Sequence, residues 1–276
     1  MKINNKFRLI ITQNLSSKIN SNIDKALFKA FKNDSFPILR VYSWEDCITF
    51  GAGQNIDDYK KLQSDYKNNV SKRLTGGGVL FHGHDISYTI LLNPNTIENR
   101  DVKETYFFIC QFLLKFYEDL GLKPKFAKDE ESIVLAKSPF CQVGFEAYDI
   151  IIDGKKIGGN AQKRAKNCIL QHGSIPLFTK EDNEVFGSSL QDFGINLNFE
   201  KAKDGLIKAF KEVFEVEIFE DSLNEEEKNI LEKIEERNQL KANKDYKQAD
   251  EIRNELEKKG VILKDTREKT EFEIIK

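Results

Sequence analysis

The stretch Arg73-Leu-Thr-Gly-Gly-Gly-Val-Leu-Phe-His82 decides how the rest of the chain is read. Three consecutive glycines offer no side chain to pack and cost backbone entropy, so strand stability cannot be their purpose. A chain accepts them where its backbone must lie against a ligand or adopt positive φ. The runs on either side, Asn69–Leu74 and Val79–Phe81, have strand character. The expectation is a buried, glycine-lined wall within a sheet; a bulged surface hairpin is the plain alternative. The triplet is neither a dinucleotide fingerprint nor a P-loop, because it lacks the G-x-G-x-x-G spacing and no Gly-Lys-Ser/Thr follows.

On the N-terminal side, Phe7–Thr12 reads as a strand, and Asn22–Phe31 places Ile23, Leu27, Ala30 and Phe31 on one helical face. Ile38–Trp44 and Cys47–Phe50 read as two strands joined by a tight polar turn at Glu45-Asp46, with Gly51-Ala-Gly-Gln54 breaking the second. On the C-terminal side, Ile86–Leu92 alternates and is β-branched, as in a strand. Asp101 and Glu104 have capping-box spacing ahead of an apolar helix through Phe107, Phe108, Cys110, Phe112, Leu113 and Phe116 that stops at Gly121. Tyr148–Ile152 and Lys155–Ile157 flank Asp153-Gly154, the clearest hairpin signal in the chain. Cys168–Leu177 is a further strand, and a helix follows over about 200–215.

From about Ser222 the composition turns charged and helical, with Ser222 and Glu225 spaced as a cap. Tyr246, Ala249, Ile252, Arg253 and Leu256 recur at helical intervals within Asp245–Lys259, which stops at Gly260 before an extended Val261–Leu263. The reading is residues 1–221 as the chemical unit and 222–276 as a small helical hairpin appended to it.

A length of 276 residues suits one large domain with a small appendage. Twenty-one phenylalanines supply a substantial core, and 43 basic against 45 acidic side chains give a net charge of −2, which argues against broad nucleic-acid binding. The basic, polar Met1–Phe7 leads into an apolar run, Leu9–Ile11, too short for a signal-peptide core, and no run reaches membrane-spanning length. Cys47, Cys110, Cys141 and Cys168 lie far apart without metal-ligand spacing, so the expectation is a cytoplasmic protein with free thiols and no metal.

Three segments converge if the sheet folds this way: the glycine wall with Arg73 and His82, the segment Lys156-Ile-Gly-Gly-Asn-Ala-Gln162, and the loop Ser138-Pro-Phe-Cys141. Cys110 sits on an amphipathic helix and reads as core. Cys141 follows Pro139 outside any apolar period, although free cysteine is usually a small buried hydrophobe. A lysine ammonium beside a thiol favours the thiolate, and a thiolate in a water-poor pocket can attack a thioester and hold the acyl group. The same ammonium, with backbone N–H groups of the glycine turns, can stabilise the oxyanion. Strand alternation sends Lys155 and Lys156 to opposite faces, and Lys155 is the better candidate for a solvated strand-end lysine. His82 and His172 each sit beside a glycine and read as structural or catalytic; His84 reads as a loop residue.

Together, Asn22-Ile-Asp-Lys-Ala-Leu27, Leu39-Arg-Val-Tyr-Ser-Trp44, Gly51-Ala-Gly-Gln54, the glycine stretch, Lys156-Ile-Gly-Gly-Asn-Ala-Gln162 and Leu170-Gln-His-Gly-Ser174 resemble the lipoate/biotin attachment superfamily, covering residues 1–215 in family order. The resemblance implies an α/β (α+β) fold with a mostly antiparallel central sheet flanked by helices, and a tunnel for an eight-carbon acyl chain. Burial of each methylene there contributes about 0.8 kcal/mol. It implies Cys141 and Lys156 as catalytic residues, Lys156 contacting the acyl carbonyl. The implied ligand-binding residues are Arg73, Gly76, Gly77, Gly78, His82, Gly159, Asn160, Gln162, His172 and Gly173. Phe140-Cys141, Asp85-Ile-Ser-Tyr88 and Ala161-Gln162 are similar to the cysteine-dependent octanoyltransferase branch. The biotin-ligase loop of the Gly-Arg-Gly type is absent, and the expectation is that the accessory C-terminal domain of the longer ligases has no counterpart in these 276 residues.

That branch implies transfer of octanoyl from acyl carrier protein to the cysteine, then to a lysine of a lipoyl domain or of the glycine-cleavage H protein, with no cofactor. The alternatives are an ATP- and Mg-dependent lipoate–protein ligase using the same Lys156 and glycine loop, and an amidotransferase taking octanoyl from the H protein. A non-catalytic acyl- or nucleic-acid-binding protein is the reading from another class. In the tail, Glu236-Arg-Asn238, Ala249-Asp-Glu-Ile-Arg253, Leu256, Gly260-Val-Ile-Leu263 and Asp265-Thr266 resemble the C-terminal helical segment of cysteinyl-tRNA synthetases; a charged hairpin packed on the main unit is the plain reading. The aminoacylation core of those enzymes is absent, so tRNA binding is not carried over.

Overall fold

The structure is a computed structural model that describes residues 6–136, 138–180, 184–258, 264–265 and 270–271. In chain order the elements are β1 (Lys6–Leu15), α1 (Ser17–Ala30), β2 (Ile38–Trp44), β3 (Cys47–Phe50), α2 (Lys60–Asp65), β4 (Val70–Lys72), β5 (Leu80–His82), β6 (Asp85–Leu92) and α3 (Val102–Asp119). There follow β7 (Lys125–Phe126), β8 (Ile150–Ile152), β9 (Lys155–Lys156), β10 (Gly159–Arg164), β11 (Ile169–Pro176), α4 (Phe199–Phe214), β12 (Glu217–Glu220), α5 (Glu225–Ala242) and α6 (Tyr246–Lys258).

Six strands form the central sheet in the order β10-β11-β6-β2-β1-β12. The pairs from β10 to β2 are antiparallel and the two involving β1 are parallel, so the sheet is mixed. Strand alternation explains its two cores. Leu9 and Ile90 face one side with Phe112, Phe116 and Phe210 of α3 and α4, while their neighbours Ile10 and Leu91 face the other with Ile23, Leu27 and Phe28 of α1. α3 opens with the expected capping box, the Asp101 side chain accepting from Glu104 N–H and the Glu104 side chain from Asp101 N–H.

β2 and β3 do not form a pair. β3 leaves the central sheet and becomes the middle of a second sheet, β4-β3-β5, parallel to β4 and antiparallel to β5. The glycine triplet joins the two outer strands of this small sheet. Strands separated by a third strand cannot be a hairpin, which disposes of that alternative. Gly78 is buried but Gly76 and Gly77 are exposed, so the wall is open where a fully buried one was expected. β8 and β9 form the hairpin read at Asp153-Gly154, whose residues have φ of 49° and 75°.

The tail folds as two packed helices. α5 is capped by Asn224 with Glu227 in a reciprocal box, two residues later than the Ser222 and Glu225 pairing the sequence suggested. Ile230 and Ile234 of α5 pack on Ala26 and Ala30 of α1, and Ile252 and Leu256 of α6 pack with Leu240. Arg8 of β1 reaches both Glu227, at 2.7 Å, and Asp221, at 2.8 Å. Gly260 and the extended Val261–Leu263 lie outside the described residues. No helix among the described residues is long and apolar enough to cross a membrane.

Candidate active site

The glycine turn and the cysteine loop are stitched together by backbone. Val79 N–H donates to Pro139 O and Cys141 N–H donates to Val79 O, both at 2.8 Å. Gly78 makes this approach possible: a Cβ there would lie 2.4 Å from the Pro139 carbonyl oxygen. Gln54, from the Gly51-Ala-Gly-Gln54 break, adds a third stitch by donating from Nε2 to Pro139 O at 3.0 Å. Gly77, at φ +98°, leaves the space that the Cys141 sulfur occupies, since a Cβ there would be 3.1 Å from Sγ. Of the four free cysteines, Cys141 is the one that is not buried.

The side chain against the sulfur is Arg73. Its Nη2 lies 3.8 Å from Cys141 Sγ. The same nitrogen donates to Gly78 O at 2.6 Å, and Nη1 donates to Thr49 O at 2.8 Å and Thr49 Oγ1 at 2.7 Å. Burial pulls the guanidinium pKa below its usual value, and the nearby Cys141 sulfur works against that pull.

Lys156 lines the same cavity of about 600 Å³, as do Cys141 and Arg73, but its ammonium is engaged elsewhere. Nζ is 2.6 Å from Asp149 Oδ2 and donates to Gly144 O at 3.2 Å. Burial raises the Asp149 carboxyl above its ordinary value, and Lys156 partly offsets this. Lys155, on the opposite face of β9, is exposed, as alternation required.

The histidines are anchored through carboxylates. His82 stacks on Trp44 with centroids 4.1 Å apart, places Nδ1 2.9 Å from Asp85 Oδ2 and Nε2 2.9 Å from Thr49 Oγ1. Burial opposes the Asp85 charge, but His82 and Ser174 hold its pKa down at about 2. His172 meets Thr75 Oγ1 at 2.7 Å and Asp24 Oδ2 at 3.4 Å; burial lowers its pKa, and Asp24 opposes that only in part. His84, by contrast, is buried in the turn between β5 and β6 and does not line the cavity.

Asn160, Gln162, Gly159 and Gly173 line the cavity from β10 and β11. Asn160 Oδ1 accepts from Tyr88 O–H at 2.7 Å, Gln171 Nε2 donates to Tyr88 Oη at 3.0 Å, and Gln162 Nε2 donates to Gln171 Oε1 at 2.8 Å. This ladder fixes the amides that face the cavity. Every residue singled out from the sequence for the site lines this one cavity. Asp24, Trp44, Thr75, Asp85 and Tyr88 lie inside the family-like motifs but were given no role of their own, and Thr49 and Asp149 were given neither motif nor role. Of those two, Asp149 gave a local signal, an acidic side chain interrupting the apolar run from Tyr148 to Ile152. No group of three His, Cys, Asp or Glu among the described residues is placed to hold a metal ion.

A strand-mounted lysine, a glycine turn and a loop cysteine around one cavity, set on this mixed sheet, define a lipoyl-attachment catalytic unit, and the chain belongs to the lipoyl protein ligase A/B catalytic domain family, which matches residues 17–205. It is 25% identical over 257 residues to the octanoyltransferase LipM of Clostridioides difficile, spanning 83% of this chain and 95% of that protein. With octanoyltransferase LipM of Bacillus subtilis it shares 32% identity over 189 residues, 64% of this chain and 67% of that protein. The fold matches a T. acidophilum lipoate protein ligase structure with bound lipoic acid at a TM-score of 0.68 and 20% identity, covering 83% of this chain and 94% of that one.

Proposed function

We infer that this chain is an octanoyltransferase of protein lipoylation that works through an acyl-cysteine intermediate on Cys141. The observation that carries the reading is the Cys141 sulfur itself: accessible, set in the cavity, and held against a buried guanidinium. The likeness to the octanoyltransferases LipM supports the same choice over ATP-dependent ligation.

In this reading the donor is octanoyl-acyl carrier protein. The Cys141 thiolate attacks the carbonyl of the carrier thioester, the tetrahedral oxyanion collapses, and the phosphopantetheine thiolate leaves. The octanoyl group then sits on Cys141 as a thioester. The neutral amine of a lysine, on a lipoyl domain or a glycine-cleavage H protein, attacks that carbonyl. The Cys141 thiolate is expelled, the nitrogen loses a proton to solvent or a nearby base, and an amide results. Lys156, oriented by Asp149, polarises the carbonyl, and N–H groups of the glycine turn complete the oxyanion site. No nucleotide, metal or other cofactor takes part, and the reaction belongs to the cytoplasm, where both protein substrates reside.

The test is incubation with octanoyl-acyl carrier protein followed by intact mass and peptide mapping. An octanoyl adduct on Cys141, lost together with transfer to a lipoyl domain in Cys141→Ala, is the expected result. Undiminished transfer by Cys141→Ala, or pyrophosphate release from ATP with free octanoate, overturns the reading.

A further inference from the structure

We propose that Arg73, and not Lys156, is the cation that holds Cys141 as a thiolate. The proposal rests on Cys141 being the acyl-accepting nucleophile. Two cations line the cavity, and what neutralises each decides between them.

Lys156 already has a counter-ion. Its Nζ lies 2.6 Å from the Asp149 carboxylate, with both side chains 8% exposed. Seen from the sulfur, that pair acts as a dipole rather than a net charge, and its field falls off correspondingly fast. Arg73 has no such partner. Its hydrogen bonds go to the carbonyls of Thr49, Gly76 and Gly78 and to the Thr49 hydroxyl, and among the described residues no carboxylate pairs with it. A guanidinium stays protonated in proteins, so this is a buried charge in need of an anion. The Cys141 sulfur, 3.8 Å from Nη2, is placed to be that anion.

The guanidinium is also fixed in place. Thr49 Oγ1, which accepts from Nη1, contacts His82 Nε2 on its other side, and His82 is held by Asp85. Thr49, His82 and Asp85 are positioning residues for Arg73 in this account. The arrangement serves both halves of the transfer. In the first half the thiolate is ready to attack. In the second half the sulfur leaves the acyl group carrying the electron pair of the broken C–S bond, and the same guanidinium receives that charge. Lys156, still paired with Asp149, is then left to serve the carbonyl oxygen and not the sulfur.

The measurement is the rate of Cys141 carboxamidomethylation by iodoacetamide across pH, on the full chain, with the modified peptide quantified. Arg73→Gln is expected to move the profile to higher pH and to slow alkylation at neutral pH about tenfold, the equivalent of one pH unit. Arg73→Lys, which keeps the charge but loses the fork, is expected to recover part of that loss. Lys156→Met is expected to leave the rate within about twofold. A profile that shifts in Lys156→Met as far as predicted for Arg73→Gln overturns the proposal, and this arm stands even if the Arg73 variants fail to fold. A folded Arg73→Gln with an unchanged profile, or no recovery in a folded Arg73→Lys, overturns it as well. The assay contains no acyl donor, so its outcome is separate from whether Cys141→Ala loses octanoyl transfer.

Discussion

Two buried carboxylates each hold a histidine whose far nitrogen meets a threonine: Asp85 with His82 and Thr49, and Asp24 with His172 and Thr75. The order of groups is the same, but the charge around them is not. Asp24 faces Arg40, with Nη1 to Oδ1 at 2.7 Å, so that pair is balanced before His172 is counted. Burial then pushes His172 towards its neutral form. Asp85 pairs with no guanidinium among the described residues; it accepts from His82, from Ser87 and Ser174, and from the Gly83 N–H. The first relay runs on through Thr49 to Arg73 and the sulfur, whereas the second ends at Thr75 beside the glycine turn. Identical residue types in identical order thus end at a glycine turn in one place and reach, through Arg73, the Cys141 sulfur in the other. What separates them is where the counter-charge sits.

The largest expected effect tests the balanced pair. Asp24→Ala strands the fully buried Arg40, so it should cost about 3–5 kcal/mol in urea unfolding. A loss under about 1 kcal/mol would break the contrast, because Arg40 would then not depend on Asp24. Next comes the pH dependence of Asp85. Its folded pKa, about 2, lies below the ordinary aspartate value of 3.8, so the stabilisation is present above the unfolded value and is lost as pH falls through the folded one. The difference corresponds to about 2 kcal/mol, expected to vanish between roughly pH 4 and pH 2 in the wild type. Asp85→Asn should be less stable at neutral pH and flatter over that window; an unaltered acid limb would show that Asp85 is not the group responsible. The smallest effect sharpens the comparison furthest. Thr49→Val and Thr75→Val should each cost about 1 kcal/mol of stability for one buried hydroxyl. Only Thr49→Val should also slow Cys141 alkylation, by roughly threefold, the equivalent of about 0.6 kcal/mol. Equal slowing in both variants would erase the distinction between the relays.

Much of the frame was legible because periodicity reports which side chains share a face. The α3 capping box, the Asp153-Gly154 hairpin and the alternation of β6 all follow from local rules. β2 and β3 show where local rules stop: both strands were visible, but their membership of different sheets depends on β4 and β5, which lie far along the chain. The cavity lining was legible through motifs at glycines and around Cys141. The partner of Lys156 went unread although the hairpin register contains it: Ile151 lies opposite Lys156, so Asp149, two residues earlier, is a diagonal neighbour on the same face. The cation touching the sulfur, by contrast, could not be chosen from local rules. Arg73 and Cys141 are sixty-eight positions apart, and the stitches of Val79 to Pro139 and Cys141, and of Gln54 to Pro139, bring them into register.

α1 turns Asp24 toward the sheet and Ala26 and Ala30 toward α5. Cutting the chain after residue 221 would expose that alanine seam and take Glu227 away from Arg8. The loosened helix would be the one that anchors His172 and, through it, the threonine next to the glycine turn. The charged tail, though outside the cavity lining, thereby serves as a buttress for one of its walls, and a shortened chain would be expected to soften there first.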